Sequence, residues 1–172
     1  MTTPVRLALV LGGARSGKSR HAERLASASG LSPVYVATAQ AQDDEMARRI
    51  ALHRRRRGPA WRTVEEPLDL VATLQRECAP ECIVLVDCLT LWLTNLMVAE
   101  RPVEAECARL LETLPLLEGA QILVSNEVGQ GIVPDNAMAR AFVDHAGWLH
   151  QGIAEQADAV VFMTAGLPHR LK

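Results

Sequence analysis

Short apolar runs recur along this chain, separated by longer stretches in which apolar and polar positions alternate with helical spacing. Leu7-Ala8-Leu9-Val10-Leu11 comes first, then Pro33-Val34-Tyr35-Val36-Ala37-Thr38, Cys82-Ile83-Val84-Leu85-Val86-Asp87, Gln121-Ile122-Leu123-Val124-Ser125 and Ala159-Val160-Val161-Phe162-Met163. Runs of this length, rich in β-branched residues and bounded by turn residues, predict strands buried on both faces. Between them the spacing predicts helices over 20–28, 39–57, 67–77, 89–99 and 103–117, and a long helix to about 156 capped by Asp135. Trp61-Arg62-Thr63-Val64 reads as a further short strand, and the residues after Met163 as a tail. Strands apolar on both faces that alternate with helices specify a mostly parallel sheet covered on both sides, a three-layer α/β architecture. The 172 residues suit one domain spanning 1–172, with no linker or repeat.

The first run breaks into Gly12, Gly13, Ala14, Arg15, Ser16, Gly17, Lys18 and Ser19. This is G-x-x-x-x-G-K-S, the phosphate-binding loop, between a buried-type strand and a helix-forming run. Its glycines let the main chain approach a phosphate closely. Inward backbone N–H groups and the positive end of the following helix favour the anion. Lys18 is placed for the outer phosphates, and the Ser19 hydroxyl for Mg²⁺.

Composition narrows the picture. A hydrophobic content of 49%, a charged content of 22% and a net charge of −2 describe an ordinary globular chain without the basic surface of a general nucleic-acid binder. No apolar run approaches the roughly 18 residues of a membrane span, and MTTPVR lacks the features of a signal peptide. Cys78, Cys82, Cys88 and Cys107 form no zinc-spaced pairs. These features point to a reducing cytoplasm.

In such sheets ligands sit beyond the carboxyl ends of the strands, which gathers Lys18, Thr38, Asp87 and the loop from Asn126 around one crevice. Asp87 closes an apolar strand and is placed either to hold Mg²⁺ or to cap the next helix. The segment RRIALHRRRRGPAWR, residues 48–62, concentrates seven arginines around His53. One account is a solvated helix end whose cations suit the dipole. The other starts from the i, i+4, i+8 spacing of Arg49, His53 and Arg57, which puts them on one face. There, like charge keeps the imidazole neutral and nucleophilic, and guanidiniums can hold an attacked phosphate. His21 is placed to pack or cap on the loop helix, and Glu127 is a strand-end candidate for a catalytic base.

Collected together, GGARSGKSRHAE (12–23), YVATAQ (35–40), DDEMARRIALHRRRR (43–57), WRTVEEP (61–67), the strand ending at Asp87 followed by LTLWLTNL, and SNEVGQGIVPDN (125–136) resemble one family. It is that of the bifunctional adenosylcobinamide kinases/adenosylcobinamide-phosphate guanylyltransferases of cobalamin biosynthesis. The resemblance implies a P-loop, RecA-like fold. It implies phosphorylation of adenosylcobinamide with ATP or GTP, then transfer of GMP from GTP to the adenosylcobinamide phosphate, giving adenosylcobinamide-GDP and pyrophosphate. A covalent GMP-histidine is implied at His53. Nucleotide contacts are implied at Gly12 to Ser19, at Ala37, Thr38 and Ala39, at Arg54, Arg55, Arg56 and Arg57, and at Glu65 and Asp87. A homo-oligomer, trimeric in the best-known type, is implied as well. Two rival classes remain at this stage: a small-metabolite kinase in which His53 is inert, and a nucleotide-dependent switch. A Ras-type GTPase is disfavoured, because no N-K-x-D guanine motif occurs.

Overall fold

The computed structural model describes residues 5–39 and 57–172. The helix expected over 39–57 therefore lies, apart from its two end residues, outside the described residues, and His53, Arg54, Arg55 and Arg56 lie there with it. The described chain runs β1 (Leu7–Gly12), α1 (Lys18–Ala28), β2 (Ser32–Ala37), β3 (Arg62–Glu65), α2 (Leu70–Glu77), β4 (Cys82–Asp87), α3 (Leu89–Val98), α4 (Val103–Thr113), β5 (Ala120–Asn126), α5 (Ala137–Gln156), β6 (Ala159–Thr164) and β7 (Leu167–Arg170). The strands form one sheet in the order β3-β2-β4-β5-β1-β6-β7, parallel throughout except for the β6–β7 pair.

Alternation along the strands builds two cores. On one face Leu7, Leu9, Leu11, Val34, Val36, Val84, Val86 and Leu123 pack with Leu70, Leu74, Trp92, Leu93, Leu96, Leu110, Leu149 and Ile153 from α2, α3, α4 and α5. On the other face the small residues Ala8, Ala22, Ala26 and Ala37 let α1 lie close against Val10, Tyr35, Leu85, Ile122 and Val124. The mostly parallel sheet covered on both faces is the architecture expected from the apolar runs.

Four differences from the expectation have a visible cause. Helix α2 starts at Leu70, not Pro67. The Glu66 carboxylate accepts from the Leu68 and Asp69 amides (2.9 and 2.8 Å), and Asn95 Nδ2 and Trp92 Nε1 donate to the carbonyls of Pro67 and Leu68. Those carbonyls are thus taken by α3 side chains. Helix α4 stops at Thr113 and tightens into a 3₁₀ turn over Leu114–Leu116, where Pro115 has no N–H to continue the ladder. The cap of α5 is Asn136, whose Oδ1 accepts from the Ala139 amide at 3.0 Å, and not Asp135. The tail after Met163 turns through Ala165 and Gly166 and returns as β7.

One buried polar pair lies beneath the loop that follows β5. Ser125 is fully buried, and its Oγ is 2.7 Å from His150 Nε2 of α5. Burial pushes the imidazole pKa below its ordinary value, with Glu127 opposing. A histidine that resists protonation when folded costs nothing while pH stays above about 6.5. As pH falls through that value the unfolded chain takes up the proton and stability drops, by at most about 1.4 kcal/mol per pH unit for one group. His150→Gln should therefore flatten the fall in urea midpoint between about pH 7.5 and about pH 5.5. An unchanged slope would show that His150 is not responsible.

Candidate nucleotide site

The strand registers bring the sequence-derived residues to one edge. Glu65, Ala37 and Asp87 stand opposite one another across β3, β2 and β4, and Asp87 faces Val124 of β5. Two residues further along β5, Asn126 faces Gly12 of β1, which on its other side faces Met163 of β6. The phosphate loop, Ala37, Thr38, Ala39, Glu65 and Asp87 thus all sit at carboxyl ends of the sheet.

The loop is held by its backbone. Arg15 (φ +56°) and Gly17 (φ +93°) take left-handed conformations, and Gly17 caps α1. Gly13 O accepts from the Ser16 amide at 3.3 Å and from Lys18 Nζ at 3.1 Å. The lysine is therefore curled over the loop and largely buried. Gly13, Ala14 and Arg15 are exposed, and Ser19 is half-buried on the first turn of α1. Ser16 Oγ is buried and makes no hydrogen bond among the described residues. A buried hydroxyl without a partner, a cation and a helix N-terminus at one turn are the donor set that an oligophosphate satisfies.

The tail contributes support that sequence reasoning missed. The Gly166 amide donates to Ser16 O at 2.9 Å, and a Cβ on Gly17 would stand 3.2 Å from Gly166 Cα. The β6–β7 turn is thus the floor on which the loop rests. The legible signal was the Ala165-Gly166 pair between two β-like stretches.

Across the edge, Thr38 is buried. Its Oγ1 accepts from the Cys88 amide (2.9 Å) and donates to the Cys88 carbonyl (2.8 Å), and its own carbonyl accepts from Asn95 Nδ2 (2.8 Å). Thr38 therefore braces the chain just after Asp87. Asn126 Nδ2 donates to Thr90 Oγ1 at 2.8 Å, which ties the end of β5 to α3. The Tyr35 hydroxyl donates to Asp87 Oδ2 at 2.9 Å; burial, and then the Asp87 charge, hold that phenol far above its ordinary pKa, so it is a donor at every working pH. Arg57 has a side chain only 3% exposed, stacked 3.4 Å above the Tyr35 ring, with Nη1 3.7 Å from Glu23 Oε1. Its described neighbours are thus an aromatic face and a carboxylate of the loop helix.

Other candidates are placed less pointedly. His21 lies on α1, its pKa lowered by burial and then by Arg24. Glu127 accepts from the Gly129 amide and so caps its own turn. The loop beyond it, with Val128, Val133 and Arg140, lines a concavity of about 280 Å³.

Mg²⁺ takes hard oxygen donors and is commonly held by one or two protein groups together with substrate phosphates. The Ser19 hydroxyl and the Asp87 carboxylate, at the same edge of the sheet, fit that pattern. Among the described residues no cluster of three or more His, Cys, Asp or Glu side chains is arranged for a metal.

A parallel sheet with a glycine-rich loop at its carboxyl edge, leading into α1, makes this a P-loop nucleotide-binding protein. Solved structures agree on the fold: the flagellar accessory protein FlaH of Methanocaldococcus jannaschii (14% identical, TM-score 0.53, covering 97% of this chain and 78% of that one) and the RadB recombinase (16% identical, TM-score 0.52, 91% and 73%). The family model described as cobinamide kinase / cobinamide phosphate guanyltransferase matches residues 8–171, and the chain belongs to that family. It is 59% identical over 166 residues to the bifunctional adenosylcobalamin biosynthesis protein CobP of Pseudomonas aeruginosa, covering 95% of this chain and 96% of that protein. It is 39% identical to CobU, the protein of the same description in Escherichia coli, covering 95% and 98%.

The packing under the loop makes a sharp prediction. A Cβ on Gly12 would stand 2.5 Å from Ser16 Oγ and 2.7 Å from the Met163 carbonyl. Gly12→Ala must therefore push the loop away from β6. Strain of this kind is worth about 1–3 kcal/mol, so the affinity for a fluorescent GTP analogue should fall about tenfold or more. Unchanged affinity would show that the loop does not hold the nucleotide in this form.

Proposed function

We propose that this chain phosphorylates the aminopropanol hydroxyl of adenosylcobinamide with ATP or GTP, and then transfers GMP from GTP to the adenosylcobinamide phosphate through His53, both within one domain. The observation that carries the reading is the meeting of the phosphate loop, Thr38, Glu65 and Asp87 at one sheet edge, in a chain of this family.

In the first reaction the substrate oxygen attacks the γ-phosphorus. The bond from that phosphorus to the β-bridging oxygen breaks, and the nucleoside diphosphate leaves as the hydroxyl proton is lost. Backbone N–H groups of Gly13 to Ser19 hold the β- and γ-phosphates, and Lys18 exchanges its bond to Gly13 O for the outer phosphates. Ser19 and Asp87 would hold Mg²⁺, which would supply charge neutralisation to the phosphates. In the second reaction an imidazole nitrogen of His53 attacks the α-phosphorus of GTP and pyrophosphate leaves. An oxygen of the adenosylcobinamide phosphate then attacks the phosphorus of the GMP-histidine, the P–N bond breaks and His53 is regenerated. The same loop can hold the departing pyrophosphate, so one cradle serves both leaving groups. Arg54, Arg55 and Arg56 supply cations for the attacked phosphate, and Ala37, Ala39 and Glu65 line the nucleotide, with the buried Thr38 bracing that edge from beneath.

The reading includes a cytoplasmic homo-oligomer, a trimer by resemblance. It is supported by Ile132 (98% exposed), Val133 (75%) and Trp148 (61%), apolar surface of the kind that association covers, and by four unpaired cysteines. Among the described residues no helix is long and apolar enough to cross a membrane.

Labelling with GTP tagged at the α- or the γ-phosphate tests the covalent step. After denaturation, acid-labile and base-stable label should remain from the α-position only, and His53→Ala should carry none. Label retained in His53→Ala would move the nucleophile elsewhere. No label on the wild type in the presence of Mg²⁺ would leave a kinase with an inert His53.

A further inference from the structure

Four side chains from separate parts of the sequence form a line under the nucleotide edge. Asp87 at the end of β4 accepts from the Tyr35 hydroxyl of β2 at 2.9 Å. The face of that ring carries the Arg57 guanidinium at 3.4 Å, and Arg57 Nη1 lies 3.7 Å from Glu23 Oε1 of α1. Trp61 meets the ring at a steep angle, with centroids 6.3 Å apart and planes at 73°. All of this lies on the α1 side of the sheet: Tyr35 packs in the core of small residues beneath that helix.

The line has a buried cation at its centre. Arg57 Nε and Nη1 make no hydrogen bond among the described residues, and Tyr35 and Glu23 are the groups that face them. A guanidinium withdrawn from water to this degree is held by its aromatic and carboxylate neighbours rather than left to sample solvent. Its planar shape suits the ring, a match that lysine lacks. Fixing the ring fixes the phenol, and the phenol takes one of the two Asp87 oxygens. The other oxygen, Oδ1, then has a set direction.

We infer that Tyr35 is a positioning residue that orients the Asp87 carboxylate for the metal. Arg57, clamped between Tyr35 and Glu23, locks that tyrosine. The inference rests on the reading of Asp87 as an Mg²⁺ ligand and goes further in naming the group that orients it. A group that orients a ligand from behind typically changes metal affinity or activity by 10–100-fold when removed.

The test is a titration of Mg²⁺ against binding of a fluorescent GTP analogue, which needs no turnover, with phosphorylation and GMP labelling measured on the same preparations. Tyr35→Phe keeps the ring, the stack on Arg57 and the packing, so it should fold. It should raise the half-saturating Mg²⁺ concentration about tenfold, with nucleotide affinity restored at high Mg²⁺. A purely structural tyrosine would lower the melting temperature and leave the Mg²⁺ midpoint where it was. Asp87→Asn serves as the reference. If Asp87→Asn shifts the midpoint and Tyr35→Phe does not, the positioning role of Tyr35 is overturned while the metal assignment stands. If Asp87→Asn itself leaves the midpoint unchanged, Asp87 is not the metal ligand and the reading beneath the inference fails. Arg57→Met should shift the Mg²⁺ midpoint in the same direction as Tyr35→Phe. An unchanged midpoint would overturn the lock by Arg57.

Discussion

Everything in this molecule depends on bringing a main chain within hydrogen-bonding reach of a phosphate. Backbone amides bind anions well only where no side chain intervenes and where the loop does not relax on binding. Both conditions are met by burial. Gly12 is pinned between Asn126 of β5 and Met163 of β6, with no room for a methyl group. Gly166 closes the loop from below through Ser16 O. The five central strands are in turn fixed by two apolar cores, one of leucines, valines and Trp92, the other of alanines that let α1 sit close. The rigidity of the phosphate site is therefore a property of the whole sheet.

That arrangement accounts for a family that runs two phosphoryl chemistries. Kinases need a cradle for the β- and γ-phosphates and a metal carboxylate. Guanylyl transfer needs a similar cradle with attack redirected to the α-phosphorus. Economy favours moving the attacking group and keeping the cradle. The line from Glu23 through Arg57 and Tyr35 to Asp87 joins the loop helix to the end of β4 at the nucleotide edge.

The strands, their parallel pairing and the phosphate loop were legible because each has a short-range cause: unbroken apolar runs and a glycine spacing that no ordinary helix or strand tolerates. Asp87 was legible as the polar end of such a run. The misses have long-range causes. Nothing local to Pro67 or Leu68 announces that Asn95 and Trp92 will take their carbonyls. Asp135 and Asn136 are both good caps, and the choice falls on the one whose side chain reaches the Ala139 amide. The return of the tail as β7 needs β6 as a template, and its role as a floor for the loop needs Gly166 to meet Ser16 across 150 residues of sequence. Arg57 was legible as a cation on the expected face of His53, and its burial rests on Tyr35 and Glu23, which no spacing rule connects to it. The placement of His53 and of Arg54 to Arg56 is a matter of sequence and family, since they lie outside the described residues.

The central claim is that one phosphate cradle serves both reactions. Lys18→Ala, checked for an unchanged melting temperature, tests it most directly when phosphorylation of adenosylcobinamide and formation of the GMP-enzyme are measured side by side. The account predicts that both fall together, by a factor of about ten or more each, because the β- and γ-phosphates leave or transfer from the same loop. Loss of phosphorylation with GMP transfer intact would contradict it and require a second nucleotide site.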